Sequence, residues 1–167
     1  MKSKLQYLLL VLLLTAGCKV GYNFNGASIA ADVKTISIQY FPNYAPNVQP
    51  TLSQVFTEKM KDKFLSQTNL KLLDKNGDID FEGSITGYSV APTAIQGNDI
   101  AAKNRLTITV KVKFTNTKDE KQNFETSFSR FADYGGTQNL AAVESGLIQT
   151  ITDQLVDDIF NKSVSNW

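Results

Sequence analysis

The sequence predicts an α+β fold, a two-layer sandwich in which a four-stranded sheet carries two helices on one face. Two observations predict it. Apolar residues alternate with polar ones in four stretches, the period of a half-buried strand, and recur at helical spacing in two others. Read along the chain, these segments give the order β-α-β-β-β-α. Each strand is apolar on one face and each helix on one stripe, so both helices are expected to cover the same face and leave the other polar.

The first segment is not part of that fold. Lys2 and Lys4, an apolar run from Leu8 to Leu14 and then Thr15-Ala16-Gly17-Cys18 form a positive start, a short apolar core and a small-residue cleavage site. A membrane span needs about 20 apolar residues, so residues 1–17 read as an export signal that is removed. The pattern resembles a bacterial lipobox, which implies acylation of Cys18. A single acyl chain binds a bilayer only marginally, whereas two or three make a stable anchor. Residues 18–31 follow as a lipidated strap: Tyr22 and Phe24 alternate with polar residues between Gly21 and Gly26, which suits an extended segment laid against the domain.

Residues 32–167 then form one domain by length. From Asp32, Val33, Ile36, Ile38 and Tyr40 make the first strand with Thr35, Ser37 and Gln39 between them. Phe41 to Pro50 holds three of the four prolines and is a loop. Leu52, Val55, Phe56, Met60, Phe64 and Leu65 mark a helix from about Thr51 to Ser66. The short run Leu70 to Leu73 leads to an Asp74-Lys75-Asn76-Gly77-Asp78 turn.

Ile79, Phe81 and Ile85 define the second strand, with Gly83 and Gly87 on the apolar parity, where a helix is expected to approach closely. Ser89 to Asn104 has neither period and reads as a long loop. Leu106, Ile108, Val110, Val112 and Phe114 make the cleanest strand. In its partner, Phe124 and Phe128 share a parity that Phe131 breaks, which predicts a bulge near Ser129-Arg130. The final helix carries Leu140, Val143, Leu147, Ile148, Ile151, Leu155, Val156, Ile159 and Phe160, with Thr137 or Asn139 as N-cap.

Composition excludes several functions. Lys and Arg number 17 against 16 Asp and Glu, and two of the lysines leave with the signal, so bulk attraction to nucleic acid is not expected. The chain has no histidine and one cysteine, which is the acylated one. Disulfides and zinc, iron or copper sites are therefore excluded, and no cofactor is expected. The commonest general base and the best soft nucleophile are missing too, and no G-x-S-x-G motif is present, so the chain is read as a non-enzyme.

Three charged groups remain as candidates. Asp78, Asp80 and Glu82 share a strand face, but their spacing does not match a calcium loop and a solvated face explains them. Lys111 and Lys113, with Lys103 and Arg105 at the start of the same strand, place cations on the polar sheet face, where they suit lipid phosphates or an acidic partner or, as the plainer reading, keep an exposed sheet soluble and unpaired. Asp153, Asp157 and Asp158 lie in the last turns of the final helix, where its dipole slightly disfavours acids.

Cys18 followed by Gly21-Tyr22-Asn23-Phe24-Asn25-Gly26, then Ser28-Ile29, Asp32-Val33-Lys34-Thr35-Ile36, Phe41-Pro42-Asn43 and Asn104-Arg105-Leu106-Thr107-Ile108 resembles the LptE-like lipopolysaccharide-assembly lipoproteins of Bacteroidota. The resemblance spans Cys18 to about Ser165. It implies a small α/β sandwich, an outer-membrane location and a role as plug and assembly partner of a large LptD-like β-barrel that delivers lipopolysaccharide to the outer leaflet. The absence of acidic residues just after Cys18 implies an anchor in the periplasmic leaflet. The alternative is a lipoprotein that binds an envelope lipid by itself, which requires an apolar cavity.

Overall fold

The computed structural model describes residues 29–47, 49–93 and 103–164. Five strands and two helices form a two-layer α+β fold: β1 (Thr35–Ile38), α1 (Leu52–Gln67), β2 (Lys71–Leu73), β3 (Ile79–Pro92), β4 (Lys103–Asn116), β5 (Phe124–Gly135) and α2 (Leu140–Val164). The sheet runs β2-β1-β3-β4-β5, with β1 parallel to both neighbours and β3, β4 and β5 an antiparallel meander. The layer arrangement is the expected one; the strand number is not. The fifth strand is Lys71–Leu73, three residues too short to show a period, placed against β1 by the α1 crossover that a parallel pair requires.

Parity sets which face is buried. On β4, Leu106, Ile108, Val110, Val112 and Phe114 point beneath the helices and are buried, while the residues between them occupy the open face. Leu52, Phe56, Met60 and Phe64 on α1 and Ile148, Ile151, Leu155, Ile159 and Phe160 on α2 close the core from above. A chain of rings crosses both layers: Phe160 to Phe64 at 5.0 Å, Phe64 to Phe81 at 4.8 Å, Phe81 to Phe114 at 4.9 Å and Phe114 to Phe124 at 5.2 Å. The first three pairs are tilted and the last is stacked, and both arrangements at these separations add ring–ring attraction to the area they bury. At the N-terminus of α2, Asn139 is the residue that caps, its side-chain oxygen accepting from the Ala141 amide at 3.0 Å.

Several local expectations are corrected. The β4–β5 register is constant from Phe114↔Phe124 to Lys103↔Gly135, so there is no bulge near Ser129-Arg130. Phe131 simply belongs to the open face. The bulge lies instead in β3, between Ile85 and Gly87, and it moves Tyr88 onto the buried parity. That shift hides the period beyond Gly87, and much of the segment read as a loop is strand: β3 continues to Pro92 and β4 begins at Lys103. Residues 94–102 lie outside the described residues.

The gap at Gly83 is filled by a side chain rather than a helix. A Cβ there would stand 2.6 Å from Cε1 of Phe41 and 2.1 Å from the Lys111 carbonyl oxygen. Phe41 is the inward anchor of the proline loop, which is held as an extension of the sheet: Tyr44 donates its amide to the Ile85 carbonyl at 2.8 Å, and Ile85 donates to Pro42 at 2.9 Å. The first strand therefore stops at Ile38, and Tyr40, expected on its apolar side, is 62 % exposed. Leu65 likewise faces solvent.

Candidate functional site

The open face of the sheet is where the predicted cations stand, and the register gives each of the described pairs. Lys113 lies opposite Glu82 on β3 and Glu125 on β5. It bonds Glu82 at 2.9 Å, while Lys111 reaches diagonally to Glu125 at 2.5 Å. Arg105 lies opposite Asp133 and grips it with two bonds, Nε to Oδ1 at 2.7 Å and an Nη to Oδ2 at 3.0 Å. Between these pairs the hydroxyls of Thr109 and Ser129 meet at 3.0 Å. Toward β1, Ser37 donates its hydroxyl to Asp80 and receives the Gly77 amide at 3.0 Å.

Sequence reasoning placed the cations on one face but missed their partners. Glu82, Glu125 and Asp133 become visible only through cross-strand register, which depends on the bulge and the turn. The face is thus a mosaic of matched charges. Pairing favours the ionised forms: hydrogen bonds from Lys111 lower the Glu125 pKa and those from Arg105 lower that of Asp133, while Glu82 raises Lys113 and Asp133 raises Arg105. Lys103 adds a weaker field at Asp133, and its carbonyl accepts from the amide and hydroxyl of Thr93 at 2.8 and 3.0 Å.

One aromatic interrupts the polar face. Phe131 is 47 % exposed, and the Arg105 guanidinium stacks on its ring at 3.5 Å from the centroid. Stacking on a ring while holding a carboxylate bidentately fixes this guanidinium in place. Toward the β1 side, a shallow concavity of about 410 Å³ is lined by polar side chains such as Gln39, Lys75, Asp80 and Lys113 together with Gly77.

Asp78 does not join a cation site. One carboxylate oxygen accepts from the Lys34 amide at 2.9 Å, the Thr35 amide at 2.9 Å and the Thr35 hydroxyl at 2.8 Å. The other meets the Lys118 ammonium at 3.0 Å. The Lys34 amide most of all, then Lys118 and Thr35, hold its pKa well below the usual carboxylate range. It ties the start of β1 to the start of β3, and its carbonyl ties in the end of β4 through Thr117. Among the described residues no cluster of acidic side chains has metal-holding geometry.

The acids of the final helix are also matched. Asp153 pairs with Lys59, Asp157 with Lys63 at 2.7 Å and Asp158 with Arg130 at 2.5 Å, so they join α2 to α1 and to β5. The helix continues to Val164, which removes these acids from its last turn. Cys18 lies outside the described residues. No described helix is long and apolar enough to cross a membrane.

No curated protein sequence matches the chain. Among solved structures, a minor lipoprotein of Acinetobacter baumannii is similar at a TM-score of 0.51 and 16 % identity, over 80 % of this chain and 94 % of that one. A hypothetical protein of Chlamydia trachomatis is similar at a TM-score of 0.51 and 9 % identity, over 80 % of this chain and 99 % of that one. These similarities concern the fold. The model of the lipopolysaccharide-assembly family LptE matches residues 33–163, from the start of β1 to the end of α2. The chain belongs to the LptE family of lipopolysaccharide-assembly proteins.

Proposed function

We propose that this protein is an outer-membrane lipoprotein, acylated at Cys18 and anchored in the periplasmic leaflet, that plugs an LptD-like β-barrel, assists its assembly and helps place lipopolysaccharide in the outer leaflet. In this reading residues 1–17 are the removed signal, 18–31 the strap and 32–167 the domain. It acts by contact rather than catalysis and requires no cofactor.

The observation that carries the reading, beyond family membership, is the open sheet face. A barrel lumen is polar, and a surface of paired charges enters it without carrying a net field. The matched lattice of Arg105, Lys111 and Lys113 with their acids meets that need better than a bare basic patch. Those three residues and Lys103 are the proposed lipopolysaccharide or barrel contacts. Exchange of an intramolecular carboxylate for a phosphate or a partner acid leaves each cation satisfied. The proline loop, fixed by its bonds to Ile85 and exposing Tyr44 at 73 %, is together with the preceding Tyr40 a second barrel-facing element. Binding of an envelope lipid by the isolated domain receives less support, because the 410 Å³ concavity among the described residues is lined by polar and charged side chains, whose methylene stems alone would meet an acyl chain.

The test is affinity purification of the acylated protein from detergent-solubilised outer membrane, with mass spectrometry of the bound material. Recovery of a large barrel in near-equal amount is the expected result. Recovery of the lipoprotein alone, under conditions that keep other barrel complexes together, rejects the plug.

A further inference from the structure

The two ends of α2 are held differently. From Ile148 to Val164 eight residues are buried, and Asp153, Asp157 and Asp158 pair with Lys59, Lys63 and Arg130. From Leu140 to Gly146 none is buried, and Leu147 is the first residue of the helix to pack against the core. This first part is tied to the sheet through a hydrogen bond from the Tyr88 hydroxyl to the Glu144 carboxylate. Just upstream, Gln138 bonds back to Gly135 and Asn139 holds the first amides of the helix, so the turn closes on itself.

The joint between the two parts is weak. Gly146 sits inside the helix, where glycine gives up more backbone freedom than any other residue. Close packing does not account for it, since a Cβ at Gly146 meets nothing within 4 Å among the described residues. Thr150 turns its hydroxyl back to the Gly146 carbonyl at 3.0 Å, and Thr152 donates to the carbonyls of Ile148 at 2.6 Å and Gln149 at 3.0 Å. Side-chain bonds of this kind compete with the helical ladder and bend it. They converge on the stretch where burial begins.

We propose that Leu140 to Gly146 is a hinged flap over the end of the sheet, pivoting at Gly146 and latched by the Tyr88–Glu144 bond, while Ile148 to Val164 stays docked. Tyr88 stands on the buried parity because of the bulge between Ile85 and Gly87, and Val90, the next residue on that parity, is 41 % exposed. The covered face therefore ends at Tyr88, where the latch is made. Opening bares the Tyr88 ring beside Val90 and extends the apolar surface at the end of the sheet that holds Lys103 and Arg105. The device needs no partner: one helix end has two states, closed when the latch is made and open when it is broken.

The test is native-state amide hydrogen exchange on the full chain. It compares Leu147 to Thr150, whose amides bond across the pivot to the carbonyls of Val143 to Gly146, with Leu155 to Phe160 in the same molecule. Corrected for intrinsic rates, the first set is expected to exchange at least about tenfold faster than the second, because it opens without the rest of the helix. Gly146→Ala places a methyl group in open space and is expected to slow the first set about fivefold while leaving the second unchanged. Tyr88→Phe keeps the ring, removes the latch and is expected to speed the first set about tenfold relative to the second. Equal protection of the two sets in the native chain overturns the proposal. Equal acceleration of both sets by Tyr88→Phe overturns the latch, since it marks a general loss of stability, and a first set indifferent to Gly146→Ala overturns the pivot.

Discussion

The two faces of the sheet come from the same strands, one residue out of step, and they hold together by different physics. On the covered face Phe81, Val110, Val112 and Phe114 are buried against α1 and α2, and each derives its stabilisation from area removed from water. On the open face Glu82, Lys111, Lys113 and Glu125 meet as exposed ion pairs, a type of contact worth roughly 0–1 kcal/mol each. The covered face defines the fold. The open face contributes little to it and is free to be specified by a partner.

The comparison is broken most severely at Phe81, whose ring touches Phe64 above and Phe114 beside it. Phe81→Ala is expected to lose about 3–5 kcal/mol of unfolding free energy in urea denaturation. A loss below about 1 kcal/mol, equal to that of an open-face substitution, would mean that the faces do not divide the work this way. Gly83→Ala tests the same layer from the opposite direction. Its added methyl meets a carbonyl of β4 and the Phe41 ring, and overpacking of this kind costs about 1–3 kcal/mol. Phe41→Leu relieves the ring contact and not the carbonyl contact, so partial recovery in the double variant is expected.

How much was legible follows the same division. Covered-face parity is written directly in Leu106 to Phe114, and both helices follow from one apolar stripe each, because burial repeats at a fixed period along those elements. Lys71–Leu73 escaped because three residues carry no period and the strand exists through its parallel pairing with β1. The bulge at Thr86 was misplaced to β5 because Phe131 looks like a parity error until Arg105 is seen stacked on it. The cations of the open face were legible one by one; the acids that match them were not, since Glu82 and Glu125 lie 31 and 14 positions from their lysines and only register joins them.

Acid sharpens the contrast between a local carboxylate and a core. The folded-state pKa of Asp78 is held below its unfolded value of about 3.9, so its contribution is present above that value and is lost as pH falls through the folded pKa. Asp133 and Glu125 shift in the same direction. Stability is therefore expected to fall on going from pH 5 to pH 2. Asp78→Asn, which is less stable at pH 5, should show a shallower fall because its side chain has no proton to take up. An unchanged slope would show that the Lys34, Thr35 and Lys118 contacts do not hold the charged form.

The smallest effect concerns the open face itself. A double-mutant cycle on Glu82→Gln and Lys113→Gln is expected to give a coupling of about 0.2–1 kcal/mol at low salt that shrinks toward zero at 1 M, where the Debye length is about 3 Å. The charge exchange Glu82→Lys with Lys113→Glu keeps that pair in the same register but turns a carboxylate toward Glu125, directly opposite position 113, so a small lowering of the urea midpoint is expected. Its effect on a bound partner is of a different order, because a surface complementary to the native mosaic meets a like charge at both positions. Reduced recovery of the proposed barrel by the exchanged variant, while it remains folded, is the expected outcome and would place recognition on the face that the fold itself uses least. Undiminished recovery would move the contact to the proline loop, where Tyr40→Ser and Tyr44→Ser become the discriminating variants.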